Sequence, residues 1–263
     1  GNLHTVLVRP ADGAALSCGG GYGPVGDLRK LGQGQASGPA VRVPAPVAGL
    51  DGVVVREVAA GSMHTLLLGA CGGVWSCGDG GSGRLGHGDT ASLATPRRIG
   101  GLEQVRAVQV AAGYAHSLVL SAAGHVYSFG RGAHGRLGHG DEADQPRPVR
   151  VAALLHTRVC QLSAGGEHSL ATDEAGALYA WGYGREGQLG LGAAAPEKQL
   201  VPARVPLPAG VRIRQASAGG THSLAVAYDG ALYSFGNGTL GTLGHGDEET
   251  RWSPTAVAAL AGT

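Results

Sequence analysis

Aromatic residues are scarce in this sequence, at 5% of 263 residues, and the net charge is only +1. A domain that binds nucleic acid usually carries a basic surface on which lysine and arginine cluster. Here the adjacent basic residues are isolated pairs, Arg29 with Lys30 and Arg97 with Arg98. We therefore expect no direct contact with nucleic acid.

Long hydrophobic runs are also missing, since no stretch reaches the ~20 apolar residues of a membrane-spanning helix and no signal-peptide pattern opens the chain. The four cysteines, Cys18, Cys71, Cys77 and Cys160, form no Cys-x-x-Cys pair and suggest no disulfide framework. We therefore expect an intracellular protein in the cytoplasm, cytoskeleton or nucleus, neither secreted nor bound to a membrane.

Glycine, by contrast, is abundant, with 49 residues. Many glycines belong to four landmarks that recur five times in fixed order: Gly-x-x-His-(Ser/Thr), a strand-ending glycine, Leu-Gly-x-Gly, and a proline before valine or isoleucine. Successive motif histidines are separated by 60, 52, 52 and 54 residues. Such a period predicts a repeat protein in which one unit cannot bury its own apolar face.

Each unit has the pattern of short strands. Segments such as Ser117–Leu120 and His125–Phe129 are rich in β-branched and aromatic residues and are joined by a hairpin-length loop. The alternating segment Val105–Val110 predicts a further strand before the histidine motif. About four strands per unit predict an all-β fold, a β-propeller of four-stranded blades. We expect one domain over residues 1–263, with repeats at roughly 1–60, 61–112, 113–164, 165–218 and 219–263.

The runs Gly-x-x-His-Ser-Leu, Tyr127-Ser-Phe-Gly130 and Gly135-Arg-Leu-Gly-His-Gly-Asp141 resemble the repeats of the regulator of chromosome condensation family. The resemblance covers essentially the whole chain. It implies a β-propeller, with seven blades in the best-known members. Because about five repeats are present, we expect the chain to form part of a seven-bladed propeller, and a closed five-bladed ring is the alternative.

The repeated histidines could suggest a metal site, but equivalent positions lie one blade apart, too far for one ion with ligands at ~2.0–2.2 Å. We predict instead that each imidazole bonds backbone or the neighbouring hydroxyl inside its own repeat. No metal or cofactor is expected. The predicted structural residues are His64, His116, His168 and His222, with the strand-ending glycines Gly78, Gly130, Gly182 and Gly236.

Catalytic motifs are also missing. Runs such as Gly130-Arg-Gly132 follow strands, but no capped helix follows them to bind phosphate. The chain has no Gly-x-Ser-x-Gly elbow and no His-Glu-x-x-His motif. The sequence therefore predicts no catalytic residues and no enzyme.

Variable loops on a repeated frame are typical of protein-interaction domains. The loop from Gly19 to Leu31 is five residues longer than its counterparts, and the loop after Gly182 combines an aromatic residue with arginine. Tyrosine and arginine are enriched at interfaces. The candidate partner-binding residues on such loops are Tyr22, Arg29, Lys30, Arg131, His134, Tyr183, Arg185 and Glu186.

The leading hypothesis is a rigid, non-enzymatic scaffold or adaptor for a protein partner, within a larger protein or assembly. A cytoskeletal or ciliary setting is compatible with the breadth of the family. The resemblance also allows guanine-nucleotide exchange on a Ran-type small GTPase, although the regular spacings leave little room for the wedge-like insertion of the exchange-active member. A third role is substrate recognition in a ubiquitin ligase. Ultraviolet-B reception is not expected, because Trp75, Trp181 and Trp252 lie outside the histidine motifs.

Overall fold

The structure is a computed structural model that describes residues 3–20 and 26–260. Within that range the chain is built from short strands and single-turn 3₁₀ helices. The first repeat contains β1 (His4–Val8), β2 (Ala15–Gly19), β3 (Gly26–Asp27), β4 (Ser37–Gly38) and β5 (Val41–Pro46). The second and third contain β6 (Val55–Ala60), β7 (His64–Gly69), β8 (Val74–Gly78), β9 (Leu93–Arg98), β10 (Ala107–Ala112), β11 (His116–Ser121), β12 (Val126–Gly130) and β13 (Gln145–Arg150).

The fourth and fifth repeats contain β14 (Val159–Ala164), β15 (His168–Asp173), β16 (Leu178–Tyr183), β17 (Lys198–Arg204), β18 (Ile213–Ala218), β19 (His222–Ala227), β20 (Leu232–Gly236) and β21 (Arg251–Ala256). The 3₁₀ turns are Arg29–Leu31, Gly81–Gly83, Ala133–Gly135, Ala152–Leu154, Thr239–Gly241 and Ala258–Leu260. None of the helices in the described ranges is long and apolar enough to cross a membrane.

Each four-stranded sheet begins with the strand before a histidine motif, which the expected repeat bounds assign to the end of the preceding repeat; from here on, a repeat means the strands of one antiparallel sheet. The orders are β6-β7-β8-β9, β10-β11-β12-β13, β14-β15-β16-β17 and β18-β19-β20-β21, beside a three-stranded sheet β1-β2-β5 and a small β3-β4 ribbon. The predicted all-β class and four-stranded propeller blades are confirmed for the second to fifth repeats. In the first repeat the described sheet has three strands, β1-β2-β5.

The proline landmark lies on the fourth strand of each sheet, at Pro96 in β9 and Pro202 in β17, for example. This strand is the last in its sheet order, and an edge strand tolerates proline because its outward N–H groups need no partner. The pairing of the third and fourth strands shifts register between Ser76 and Gly78 and at equivalent positions in the other sheets. The residue at that shift, such as Phe129, is buried against the neighbouring repeat.

By contact density the chain divides into two compact units. The first comprises Gly1–Ala123, Tyr127–Arg131 and Asp144–Arg150, and the second comprises Gly124–Val126, Gly132–Ala143 and Val151–Thr263. In the first unit, Leu66 and Leu68 of β7 pack with Val110 of β10 and with Phe129.

In the second unit, Leu170 of β15 packs with Ile213 of β18 and Phe235 of β20. Both cores therefore lie between successive sheets, and each buried side chain of this size contributes roughly 1.5–3 kcal/mol.

Candidate functional site

Within each unit, a motif histidine joins one repeat to the next one. His64 Nε2 lies 2.9 Å from the Ser117 hydroxyl, and that hydroxyl donates to the Arg84 carbonyl oxygen at 2.8 Å. We expected the partner hydroxyl inside the same repeat; it belongs instead to the following one. The hydroxyl of Ser117, which follows the motif histidine of its own repeat, thus closes the joint with the preceding repeat.

The same joint recurs in both units. His4 bonds Thr65, which donates to the Lys30 carbonyl, and His168 bonds Ser223, which donates to the Gln188 carbonyl. Because the hydroxyl proton is used on the carbonyl, the imidazole must carry its proton on Nε2 and donate it. The other ring nitrogen, Nδ1, is buried without a hydrogen-bond partner among the described residues in His4, His64 and His168.

The glycine of the motif makes room for this ring. A Cβ on Gly61 would lie 2.4 Å from His64 Cε1, and the Gly61 N–H donates to the His64 carbonyl at 2.9 Å. Burial lowers the pKa of His64 and of His168 to about 3, so both rings are neutral. Within residues 3–20 and 26–260, no three His, Cys, Asp or Glu side chains are grouped to hold a metal ion.

The second histidine set stays within its own repeat. His87 Nε2 lies 2.9 Å from the Ser76 hydroxyl, and His245 Nε2 lies 2.8 Å from the Ser234 hydroxyl. The aspartate two residues later turns the chain, as when Asp89 accepts from the Ala91 N–H at 3.0 Å. These residues shape the Leu-Gly-x-Gly turn.

Of the first-repeat candidates, Tyr22 lies outside the described residues. Arg29 pairs with Asp27 at 3.1 Å. Lys30 is 1% exposed, with its ammonium 3.7 Å from Met63 Sδ, and burial lowers the pKa of this lysine. A buried ammonium presents nothing to a partner, so Lys30 belongs to the packing of the turn rather than to a contact surface.

Replacing Lys30 with methionine should stabilise the chain by about 1 kcal/mol at pH 7, because the cost of burying the charge is removed. Since the folded pKa is below that of the unfolded chain, stability of the native protein rises as pH climbs through the window between them. The advantage of Lys30→Met should therefore shrink toward pH 10.5, the ordinary pKa of a lysine side chain. Urea denaturation at several pH values measures this, and a gain that does not change with pH would contradict it.

Three candidates of the third and fourth repeats, His134, Tyr183 and Arg185, lie together on the second unit. Six residues form what we call the His134 surface: His134, Glu142, Glu167, Tyr183, Arg185 and Lys198. At its centre the His134 ring lies 4.7 Å from the Tyr183 ring, centroid to centroid. His134 has the left-handed φ of 62° at the tip of its turn, where its N–H donates to Glu142 Oε2 at 2.7 Å.

An ion pair with a buried arginine supports the surface from below. Arg136 is fully buried and donates to Glu167 Oε1 at 3.0 Å, while the other oxygen of Glu167 lies 2.9 Å from His134 Nδ1. Partial burial raises the pKa of Glu167, but the positive charge of Arg136 and the hydrogen bonds from Arg136 and His134 outweigh it and lower the pKa overall. The ionised carboxylate therefore fixes the orientation of the His134 ring.

The rim of the surface is charged and exposed. The hydrogen bond from Arg185 to Tyr183 raises the pKa of that arginine, and Lys198 pairs with Glu142 at 2.8 Å. Glu186 accepts from the Asn237 side chain at 3.0 Å, beyond the His134 surface.

Arg131 is exposed and belongs to the first unit. The structure thus brings His134, Tyr183 and Arg185 together on the second unit and leaves Glu186 outside this cluster. Sequence reasoning missed Glu167, although its position before the motif histidine holds Leu3, Met63, Ala115 or Thr221 in the other repeats.

The repeat geometry agrees with a known family. A family model described as the RCC1-like domain matches residues 14–263. The chain belongs to the RCC1-like family. This confirms the resemblance to the regulator of chromosome condensation repeats, and with it the β-propeller type of fold.

Individual relatives of this RCC1-like chain are longer. The ultraviolet-B receptor UVR8 of Arabidopsis thaliana is 38% identical over 261 residues, which cover 99% of this chain and 57% of the receptor. The human E3 ubiquitin-protein ligase HERC2 is 34% identical over 266 residues, which cover 100% of this chain and 5% of the ligase. The chain thus spans about half of one relative and a small part of the other.

Solved structures show the same fold. Human WBSCR16 superimposes with a TM-score of 0.83 at 27% identity, covering 97% of this chain and 65% of that one. Yeast RCC1 (Prp20), solved with Kap60 bound, gives a TM-score of 0.84 at 24% identity, covering 99% and 63%. The likeness to the yeast protein shows the fold alone.

Proposed function

We propose that this RCC1-like chain is a non-enzymatic interaction module that binds a protein partner through the His134 surface, as a scaffold or adaptor within a larger protein or assembly. The observation that carries the proposal is the grouping of His134, Tyr183 and Arg185 above the pair of the buried Arg136 with Glu167. Relatives named as a receptor and as a ubiquitin ligase share this repeat sequence. Because a fold shared by proteins of different kinds indicates no single reaction, this supports a binding role.

The arrangement is suited to binding because its side chains are held in place before a partner arrives. The His134 ring lies against the Tyr183 ring, which reduces the conformational entropy that this tyrosine loses on association. A guanidinium has five N–H donors, and a single bond to Tyr183 leaves others for a carboxylate or carbonyl of the partner. Tyrosine and arginine are also the residue types that dominate binding energy at interfaces.

The double substitution Tyr183→Ala with Arg185→Ala tests the proposal. It should weaken partner binding by about 2 kcal/mol or more and leave thermal unfolding unchanged, because both side chains lie at the surface. The matched control is Tyr228→Ala with Arg212→Ala, which removes another tyrosine–arginine pair of the same unit, in which the guanidinium lies 5.1 Å from the ring centroid.

Proximity labelling in cells, followed by a binding measurement on the recovered partner, should show loss for the first variant only. Equal retention by both variants would exclude the His134 surface as the binding site. Equal loss by both would show that binding depends on the fold as a whole.

A second candidate is substrate recognition for a ubiquitin ligase, favoured by the 34% identity to HERC2 over the whole chain. In that case the ligase machinery would lie outside these residues, and the recovered partner should be ubiquitinated less by the Tyr183/Arg185 variant. A stable complex without ubiquitination favours the scaffold role.

Guanine-nucleotide exchange on a Ran-type GTPase remains the alternative for the same surface. Release of a fluorescent nucleotide measures it directly. We expect no acceleration by this chain, and strong acceleration for one GTPase would replace the scaffold proposal.

A further inference from the structure

A groove of about 420 Å³ lies in the fourth repeat, at the opposite end of its sheet from the His134 surface. One wall is the hairpin end at residues 175–177, between β15 and β16, and the other is the connection from Arg204 to Val211, between β17 and β18. On β17, Lys198 pairs with Tyr183 of the His134 surface, whereas Arg204 pairs with Tyr179. Because β17 runs from Lys198 to Arg204, its two ends lie about 20 Å apart.

Hydrogen bonds hold both walls of this groove in place. The Gly176 carbonyl oxygen accepts from the Ile213 N–H at 2.8 Å, which ties the hairpin to the next strand. Within the connection, the Val211 N–H donates to the Pro208 carbonyl oxygen at 3.1 Å. Because Pro206 and Pro208 also fix their own φ angles, the groove keeps its form before a ligand enters it.

The floor of the groove is apolar, and its rim is positively charged. Leu207 and Val211 pack against the hydrophobic core of the second unit and are only partly buried. Arg204 is the one charged residue among the described residues that line the groove. It is exposed and makes no hydrogen bond or ion pair with another described residue. The five N–H donors of its guanidinium are therefore free to bind a ligand.

The two carboxylates of the hairpin between β15 and β16 are engaged elsewhere. Asp173 accepts from the Ala177 N–H at 2.8 Å and from the Tyr179 hydroxyl at 3.2 Å. Glu174 pairs with Arg158 at 3.0 Å. Neither carboxylate forms an ion pair with the arginine of the opposite wall, so the rim of the groove keeps its positive charge.

The first repeat has an equivalent groove with the opposite charge. It measures about 650 Å³ and lies between the turn that joins β1 to β2 and the connection that follows β5. Pro46 occupies the strand position that Arg204 holds in the fourth repeat. Asp12 and Asp51 are the charged residues among the described residues that line it. The two grooves therefore differ in the sign of their charge.

We propose that the groove of the fourth repeat binds an acidic peptide segment of a protein partner, in which an apolar side chain lies next to a carboxylate. The carboxylate accepts two parallel hydrogen bonds from the Arg204 guanidinium, the geometry that this pair of groups favours. The apolar side chain covers Leu207 and Val211 and removes their exposed surface from water. The carboxylates of the first-repeat groove repel such a segment, so charge directs it to the fourth repeat.

This groove is separate from the His134 surface. Because the two lie at opposite ends of β17, one module can hold two partners at the same time, one at each end of the sheet. Binding in the groove does not require a partner on the His134 surface, and the two sites can be tested one at a time.

Three acetylated and amidated peptides test the groove in the 263-residue chain. They are Asp-Leu-Asp-Leu-Asp, Asp-Ser-Asp-Ser-Asp and Lys-Leu-Lys-Leu-Lys, and each is titrated into isotope-labelled protein while the amide NMR resonances are followed. The first peptide should shift the resonances of residues 175–177 and 204–211 and leave those of residues 46–54 in place. Its dissociation constant should be lower than those of the other two by about tenfold or more, because it alone supplies both carboxylates and apolar side chains.

Arg204→Glu should weaken binding of the acidic apolar peptide by about tenfold or more, because a carboxylate replaces the guanidinium that binds it. The matched control is Arg150→Glu, at the equivalent exposed position of β13, where the 3₁₀ turn Ala152–Leu154 follows the strand. This control should bind the peptide as the unsubstituted chain does. Tyr183→Ala with Arg185→Ala should also leave this binding unchanged, since it alters the His134 surface alone.

Unchanged resonances at residues 175–177 and 204–211 would overturn the proposal, as would equal binding of the serine or the basic peptide. Full binding by Arg204→Glu, with its other resonances in their native positions, would show that this arginine does not hold the ligand. Displacement of the peptide by an equal concentration of inorganic phosphate would assign the groove to phosphate groups instead of an acidic peptide. Loss of peptide binding in the Tyr183/Arg185 variant would contradict the separation of the two sites.

Discussion

Replacing Gly130 with valine is expected to lower the free energy of unfolding by about 4 kcal/mol or more, which places it among the most damaging single substitutions. Gly130 has a φ of 106°, which L-residues rarely adopt. A Cβ at this position would lie 2.6 Å from the Ala115 carbonyl oxygen and 2.9 Å from His116 Cα. Both obstacles are backbone atoms of the paired region, so no side-chain rotation can relieve the overlap.

Gly210→Val separates the cost of the positive φ from the cost of the overlap with neighbouring atoms. Gly210 also has a positive φ, 80°, but a Cβ added there would meet no described atom within 4 Å. Gly210→Val should therefore lower the free energy of unfolding only by the cost of the positive φ, about 1–2 kcal/mol. Urea denaturation of both variants measures the difference, and equal losses would show that close packing at Gly130 is not what requires glycine.

The repeat frame could be predicted from the sequence because its glycines are required by backbone geometry. Gly78 and Gly130 have φ values of 112° and 106°, and each lies against the backbone of its own histidine motif. No other residue replaces them easily, so the pattern persists and marks the ends of strands. The proline landmark also has a structural cause, because proline lacks the N–H that an inner strand needs and therefore marks the edge strand.

The partners of the histidines could not be predicted, because the bond from His64 runs to Ser117 in another sheet. The sequence of a single repeat suggests that His64 bonds the adjacent hydroxyl of Thr65. In the structure the packing of one sheet on the next places that hydroxyl beside His4 instead.

The burial of Lys30 could not be predicted from the sequence either. A lysine next to Arg29 in a loop predicts an exposed side chain, but Lys30 holds the position before the turn leucine that the buried Arg136 holds in the third repeat. The His134 surface was foreseen through its tyrosine and arginine but not through Glu167, whose role depends on a buried arginine of another repeat.

Lowering the pH from about 7 toward 4 is expected to destabilise the protein steeply. Burial lowers the pKa of His4, His64 and His168 to about 3, against 6.5 for an ordinary histidine. Between these values the unfolded chain binds protons that the native chain does not, so stability falls as pH falls through the window. Each such histidine contributes a slope of up to about 1.4 kcal/mol per pH unit.

The hydrogen bonds of the histidine explain why protonation in the native state is unfavourable. His168 already donates from Nε2 to Ser223, and its Nδ1 is buried with no described acceptor, so a second proton would have no partner. His168→Gln keeps a donor near Nε2 but does not titrate, and it should therefore lower stability at pH 7 while flattening the loss toward pH 4.

His156→Gln, at an exposed histidine, is the matched control and should leave the pH profile unchanged. Urea midpoints from pH 7 to 4 measure all three proteins. If His168→Gln keeps the full slope of the unsubstituted chain, protonation of this joint is not what unfolds it.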